Sequence, residues 1–334
     1  MPATYGKWEI VRSLSEGGQA RTFIVKNIED GSENWVLKRL KNDGRIGRFE
    51  QEIETLRQLQ HARIPRIVDH ALGDPAYFVT PYLGTTLDKV IPSQQLPLDE
   101  IIDLFRDVVE AVEAAHANGI VHRDIKPNNV VVGEEEGVRR AYLIDFGVCQ
   151  WANGPLYVTD VREAFGNRNF AAPECELGSL EEPSERSDVY SLGKLLYWMV
   201  TGGGFFPREQ FQRGPLDRIP QPRGVERAYI RRWLEATVTE STRKRIKATV
   251  LLDRVERDMK LMRLGVNAVG AREQLCPVCR LGTMSRRKDL GNLGFNAVGN
   301  PPAEVRLLHC QYCGYLQHHY IGETESEAQD LWEI

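Results

Sequence analysis

Apolar and polar residues change their period along the chain, and each change predicts a different kind of element. Residues 7 to 83 carry short apolar runs typical of strands, at Trp8-Glu9-Ile10-Val11, Thr22-Phe23-Ile24-Val25, Trp35-Val36-Leu37-Lys38 and Tyr77-Phe78-Val79-Thr80. One helix interrupts them, with Phe49, Ile53, Leu56 and Leu59 at helical spacing among charged neighbours. From about residue 97 the period becomes helical. Ile101, Ile102, Phe105, Val108, Val109 and Val112 form one stripe, with Asp99 as the expected N-cap and Gly119 as the stop. Two short apolar strands follow around Val130-Val131-Val132 and Tyr142-Leu143-Ile144. Helical patterns then resume through 189–192, 230–237 and 251–264. The pattern predicts a β-rich small lobe joined to a helical large lobe, an α+β chain.

Composition narrows the class. With 334 residues, 42% hydrophobic and 27% charged, the chain is expected to be globular and to hold about two domains. A net charge of −4 disfavours non-specific binding to nucleic acid or anionic membranes. The start, Met1 to Lys7, lacks the apolar core of a signal peptide, and no apolar stretch reaches bilayer-spanning length, so a cytoplasmic protein without membrane contact is expected.

The most informative stretch is Val121-His122-Arg123-Asp124-Ile125-Lys126-Pro127-Asn128-Asn129, with Asp145-Phe146-Gly147 starting 16 residues after Asn129. The pair reads H-R-D-x-K-P-x-N and D-F-G, and this resembles the protein kinase family. The resemblance covers about residues 7 to 262 and implies a two-lobed fold, with lobes at 7–83 and 84–262, that uses ATP and Mg²⁺, or Mn²⁺ in its place. It implies that Asp124 is the catalytic base, Lys126 neutralises the transferring phosphate, Asn129 is a second metal ligand and Asp145 holds Mg²⁺. A Lys two residues after the catalytic Asp implies a Ser/Thr acceptor on a protein substrate. Lys38 and Glu52 are the implied ion pair that sets the ammonium against the α- and β-phosphates.

The nucleotide loop departs from the family pattern. Against G-x-G-x-x-G-x-V, Ser15 stands at the first glycine, Gly17 is kept with Gly18 beside it, Ala20 stands at the third glycine and Thr22 at the valine. Val36 replaces the usual alanine of V-A-x-K. Together these changes imply a stiffer loop and a more crowded adenine roof. Thr80 falls at the gatekeeper position before the hinge Pro81-Tyr82-Leu83-Gly84, where Tyr82 is an expected nucleotide contact.

Downstream, 166–174 resembles the end of an activation segment that closes on Ala172-Pro173-Glu174. Glu174 is expected to pair with Arg245, and Asp188 to anchor the catalytic-loop backbone. Asn167 takes the place of the usual threonine. Between Asp145 and Glu174 the hydroxyl side chains are Tyr157 and Thr159.

Beyond a linker expected at 263–272, Cys276-Pro277-Val278-Cys279 and Cys310-Gln311-Tyr312-Cys313 form two C-x-x-C knuckles separated by 30 residues. Four thiolates in two tight knuckles suit tetrahedral Zn²⁺, and the 273–321 segment resembles a zinc ribbon. A thioredoxin-like redox pair, an iron–sulfur cluster and free thiols are the competing readings. Arg286-Arg287-Lys288 beside Tyr312, Tyr315, His318, His319 and Tyr320 reads first as a solvated turn with ribbon-core aromatics. A protein-docking ribbon ranks next, and nucleic-acid contact last. Residues 322–334, with five acids and no base, form a tail that is mobile or docked by Leu331, Trp332 and Ile334. The functional expectation is a Mg²⁺-dependent protein Ser/Thr kinase; its rival is a pseudokinase scaffold whose ribbon recruits a protein or nucleic-acid partner.

Overall fold

The computed structural model describes residues 3–16, 20–32, 34–147, 149–151, 169–175, 183–206, 225–268, 284–286, 304–310, 316–321 and 330–331. The chain divides into two units, Met1–Gln221 with Arg232–Met259, and Pro222–Arg231 with Lys260–Ile334.

In the first unit, strands β1 (Thr4–Tyr5), β2 (Trp8–Glu16), β3 (Ala20–Asn27), β4 (Trp35–Leu40), β5 (Asp69–Ala71) and β6 (Tyr77–Pro81) form an antiparallel sheet ordered β1-β2-β3-β4-β6-β5. Aromatic and β-branched residues fill these strands because they pack well on a pleated surface. Trp8, Val25, Leu37, Tyr77 and Val79 make one buried cluster, each such side chain contributing about 1.5–3 kcal/mol by leaving water. Trp8 Nε1 donates to Asp69 Oδ2 at 2.6 Å, which ties the edge strand to this cluster. Helix α1 (Ile46–Gln58) buries Phe49, Ile53 and Leu56, and the Phe49 ring lies 5.3 Å from Phe78 of the sheet.

The helical lobe begins with β7 (Thr85–Thr86), α2 (Leu87–Ser93), α3 (Leu98–Ala117) and β8 (Ile120–Val121). Next come the hairpin β9 (Val130–Glu135) and β10 (Val138–Leu143), then β11 (Gln150–Trp151), α4 (Glu185–Val200), α5 (Val225–Thr237) and α6 (Ala248–Ala268). Every residue of α4 from Ser187 to Val200 is buried, as befits a helix enclosed on all sides. A reciprocal Ser184–Ser187 capping box opens it. Trp233 Nε1 donates to Asp258 Oδ2 at 2.8 Å, joining α5 to α6.

Two boundaries differ from expectation. Helix α3 opens one residue before Asp99, with Pro97 at the N-cap; Asp99 and Glu100 sit in the first turn, where carboxylates meet the positive end of the helix dipole. Helix α6 runs on to Ala268, through the start of the segment expected as a linker. Gly119 does follow the end of α3, in the left-handed region at φ +70°.

In the second unit, β12 (Met284–Arg286), β13 (Glu304–Cys310), β14 (Leu316–Ile321) and β15 (Asp330–Leu331) form an antiparallel sheet in that order. Met284 pairs with Cys310. The tail supplies the edge strand, with Asp330 opposite His319 and Leu331 opposite His318. Cys276, Cys279 and Cys313 lie outside the described residues, as do Trp332 and Ile334. Among the described residues no helix is long and apolar enough to cross a membrane, and no group of three or more His, Cys, Asp or Glu is placed to hold a metal.

Candidate active site

The β9–β10 hairpin brings two distant motifs together. Leu143 pairs with Val130 across it, and just beyond, Ile144 N donates to Asn129 O at 2.9 Å. Asn129, before β9, and Asp145, after β10, are therefore neighbours by register.

Two non-glycine residues here adopt left-handed backbone, Arg123 at φ +67° and Asp145 at φ +65°. Such conformations cost of order 1–3 kcal/mol each and persist only where the surroundings enforce them. The enforcement is visible. Asp188, fully buried on α4, accepts from His122 N and Arg123 N, both at 2.8 Å, and from His116 Nε2 at 2.8 Å. Burial opposes its charge, but these donors hold the Asp188 carboxyl below its usual range.

His122 is the second brace. Its Nδ1 accepts from Asp124 N at 3.3 Å, so the ring proton belongs to Nε2, which donates to Ile144 O at 3.1 Å. The Phe146 ring packs edge-on, 4.7 Å away. His122 thus links both motifs through their backbones. The motif spacing shows this residue, but its bracing role depends on the hairpin register and is not legible in sequence.

The charged groups converge. Lys38 Nζ on β4 lies 2.6 Å from Glu52 Oε1 on α1 and 2.8 Å from Asp145 Oδ1. Burial pulls the Lys38 pKa down, but Asp145 and Glu52 more than offset it and the net direction is upward. Burial pushes Glu52 up to about 7 despite Lys38. Lys38 brings Asp145 down to about 2. Lys126 Nζ approaches Asp124 Oδ2 at 2.7 Å, and Asn129 Nδ2 donates to the same oxygen and to Asp124 O, both at 2.8 Å. Burial raises the Asp124 pKa.

The nucleotide-loop residues lie on adjoining strands. Ser15 pairs with Thr22, Thr22 with Lys38, and Val36 with Thr80. Ala20 and Thr80 are buried. Gly17 and Gly18 lie outside the described residues. Tyr82 N, in the hinge, donates to Asn34 O at 2.8 Å. A further feature escapes motif reading: a Cβ on Gly84 would come 2.1 Å from Val132 O, and one on Gly133 would come 1.9 Å from Leu83 O. The hinge backbone lies directly on β9, an approach that glycine alone permits at both positions.

Behind the site, Arg245 and Glu174 form the expected buried pair, Nη1 to Oε1 at 2.5 Å and Nη2 to Oε2 at 2.9 Å. Asn167, Tyr157 and Thr159 lie outside the described residues. Cys149 is buried and Cys175 only partly so; burial pushes both thiols up to about 11.

Residues 8–257 match the protein kinase domain family. The serine/threonine-protein kinase pkn2 of Myxococcus xanthus is 29% identical over 206 residues, covering 59% of this chain and 24% of the relative. PrkC of Bacillus subtilis is 30% identical over 205 residues, covering 59% and 31%. PknD of Mycobacterium tuberculosis is 30% identical over 233 residues, covering 65% and 34%. The chain spans about a quarter to a third of the length of these relatives. With a domain match running over most of its residues, and the ion pair, catalytic loop and D-F-G aspartate gathered at one place, the chain belongs to the protein kinase family.

Proposed function

We propose that the chain is a protein serine/threonine kinase that moves the γ-phosphoryl group of ATP to a protein hydroxyl with the help of Mg²⁺. The observation that carries this reading is the convergence of Lys38 on both Glu52 and Asp145, beside an Asp124 held by Lys126 and Asn129.

The donor chemistry fits a hard divalent cation. Asp145 offers an ionised, 44% exposed carboxylate. Asn129 commits Nδ2 to Asp124, which leaves its amide oxygen as the atom that would ligate the metal. When bound, Mg²⁺ neutralises charge on the phosphates. Lys38, positioned by Glu52, places its ammonium against the phosphate oxygens. Asp124 orients the acceptor hydroxyl and takes its proton as the O–P bond forms and the bond to the ADP oxygen breaks; its raised pKa suits a proton acceptor. Lys126 offsets the developing charge. Ser15, Ala20, Thr22, Val36, Thr80 and Tyr82 are the proposed nucleotide contacts, and the sequence motif adds Gly17 and Gly18 to them. Lys126 and the names of the relatives support the Ser/Thr class.

For the C-terminal segment we propose a structural Zn²⁺ held by Cys276, Cys279, Cys310 and Cys313. The support is the double C-x-x-C spacing and an antiparallel sheet whose strand β13 ends on Cys310. Reduced thiols there agree with a cytoplasmic location. The ribbon is then a place for a protein partner. Ser15 and Ala20 in the nucleotide loop favour the rival scaffold reading, and one experiment separates the two. Asp145→Asn should remove phosphate transfer from Mg²⁺-ATP by at least about 100-fold in a variant that still folds, as judged by circular dichroism. Wild-type transfer no higher than that of the variant would favour the scaffold, and full turnover in the variant would refute the metal assignment.

A further inference from the structure

The segment that starts at Asp145 meets β4 first and then α1. Asp145 Oδ1 meets Lys38. At Gly147 a Cβ would stand 3.1 Å from Glu52 Oε2, so the backbone passes against the carboxylate that Lys38 holds. At Cys149 the Sγ lies 3.4 Å from Thr55 Oγ1, and the Cys149 carbonyl accepts from Gln51 Nε2 at 3.5 Å. Gln51, Glu52 and Thr55 are related by four and three residues, which sets them on one face of α1. Thr55 is fully buried and Cys149 is 8% exposed. Cys149 N donates to Phe146 O at 3.2 Å, closing the turn below the D-F-G residues. Gln150 then pairs with Val121, the residue before His122. Residues 145–147 and 149–151 thus form a strap from the ion pair, along α1, to the start of the catalytic loop.

Within a helix a threonine hydroxyl can satisfy itself on the preceding turn. Here it also reaches sideways to a thiol that burial keeps protonated and that serves no step of phosphate transfer. We propose that Thr55 and Cys149 are positioning residues: their buried contact holds α1 and this strap in register, so that Glu52-bound Lys38 and Asp145 are presented together. This inference rests on the kinase reading. It predicts that the Cys149 thiol meets solvent only when α1 separates from the strap.

The test uses the full chain with Thr55→Val, Thr55→Ser, Cys149→Ala and the Thr55→Val/Cys149→Ala double variant. Thr55→Val keeps the shape and removes the hydroxyl. It should lower kcat about threefold to tenfold with little change in KM for the protein acceptor, the scale of one buried hydrogen bond. Thr55→Ser should restore most of kcat, and the double variant should be no slower than the slower single variant. Wild-type kcat in Thr55→Val, or losses that multiply in the double variant, would overturn the proposal. If Thr55→Val fails to fold, Cys149→Ala decides alone, and wild-type kcat there is contrary. Alkylation of Cys149 by N-ethylmaleimide, followed by peptide mass spectrometry, needs no turnover. It should be slow in the wild type and faster in Thr55→Val, and equal rates in the two folded proteins would refute the latch. A wild type without transfer that still shows this difference in alkylation would uphold the latch and overturn the kinase reading.

Discussion

Glu52 has an environment that pulls in two directions, and its protonation should be readable in both activity and stability. Its folded pKa, raised to about 7 from an ordinary 4.5, means that the native state holds the proton more tightly than the unfolded chain. The stabilisation from this group is therefore complete below about 4.5 and lost as pH rises through about 7. Asp145 has the opposite sign: depressed to about 2 by Lys38, it stabilises above the ordinary carboxylate range and loses that contribution as pH falls through about 2. On the proposed kinase reading transfer needs the ionised Glu52, because a protonated carboxyl attracts the Lys38 ammonium less. We expect kcat/KM for ATP to fall as pH drops through about 7, and Glu52→Gln to show a lower, flatter profile across that range. Thermal midpoints of the same variant should lose the decline between about 4.5 and 7. A Glu52→Gln profile that keeps the wild-type acid limb would assign it to another group.

Short elements held by single buried contacts set the geometry between the motifs. The Pro173–Cys175 turn carries Glu174, and Arg245 follows the Thr242–Lys244 turn, so one bidentate pair fastens two segments 71 residues apart. Arg245 also donates from Nε to Thr239 O at 2.7 Å and from Nη2 to Glu240 O at 3.1 Å. Arg245→Met should strand Glu174 and cost about 3–5 kcal/mol in urea unfolding; a loss under about 1 kcal/mol would show that the pair is dispensable. Sequence made this pair legible, along with the sheet strands, α1 and the residues Lys38, Asp124 and Asp145 that the fold gathers, because apolar period and motif spacing are local signals. The His122 bridge to Ile144, the Gly84 and Gly133 approach and the Thr55–Cys149 contact were not legible, because each depends on which strands become neighbours. Asp99 misled as a cap because a carboxylate is equally favourable at the N-cap and in the first turn; Pro97, with its fixed φ, begins the helix instead.

At the scale of the molecule, a domain of the protein kinase family and a cysteine-bearing segment share one chain, and the two proposals can fail separately. Purified protein should contain about one zinc per chain under reducing conditions, and Cys310→Ser should lower that content severalfold. A wild-type zinc content far below one per chain would refute the four-thiolate site without touching the kinase domain. The central claim is that this family member catalyses phosphate transfer in spite of Ser15 and Ala20 in its nucleotide loop. Transfer of the γ-phosphate from Mg²⁺-ATP to a generic Ser/Thr protein substrate and to the chain itself, with Asp124→Asn as control, tests that claim most directly. The account predicts phosphoserine or phosphothreonine in the wild-type reaction and at least about a 100-fold loss in the control. Wild-type protein that binds ATP by thermal shift yet transfers no more phosphate than Asp124→Asn would contradict it and leave a nucleotide-binding scaffold.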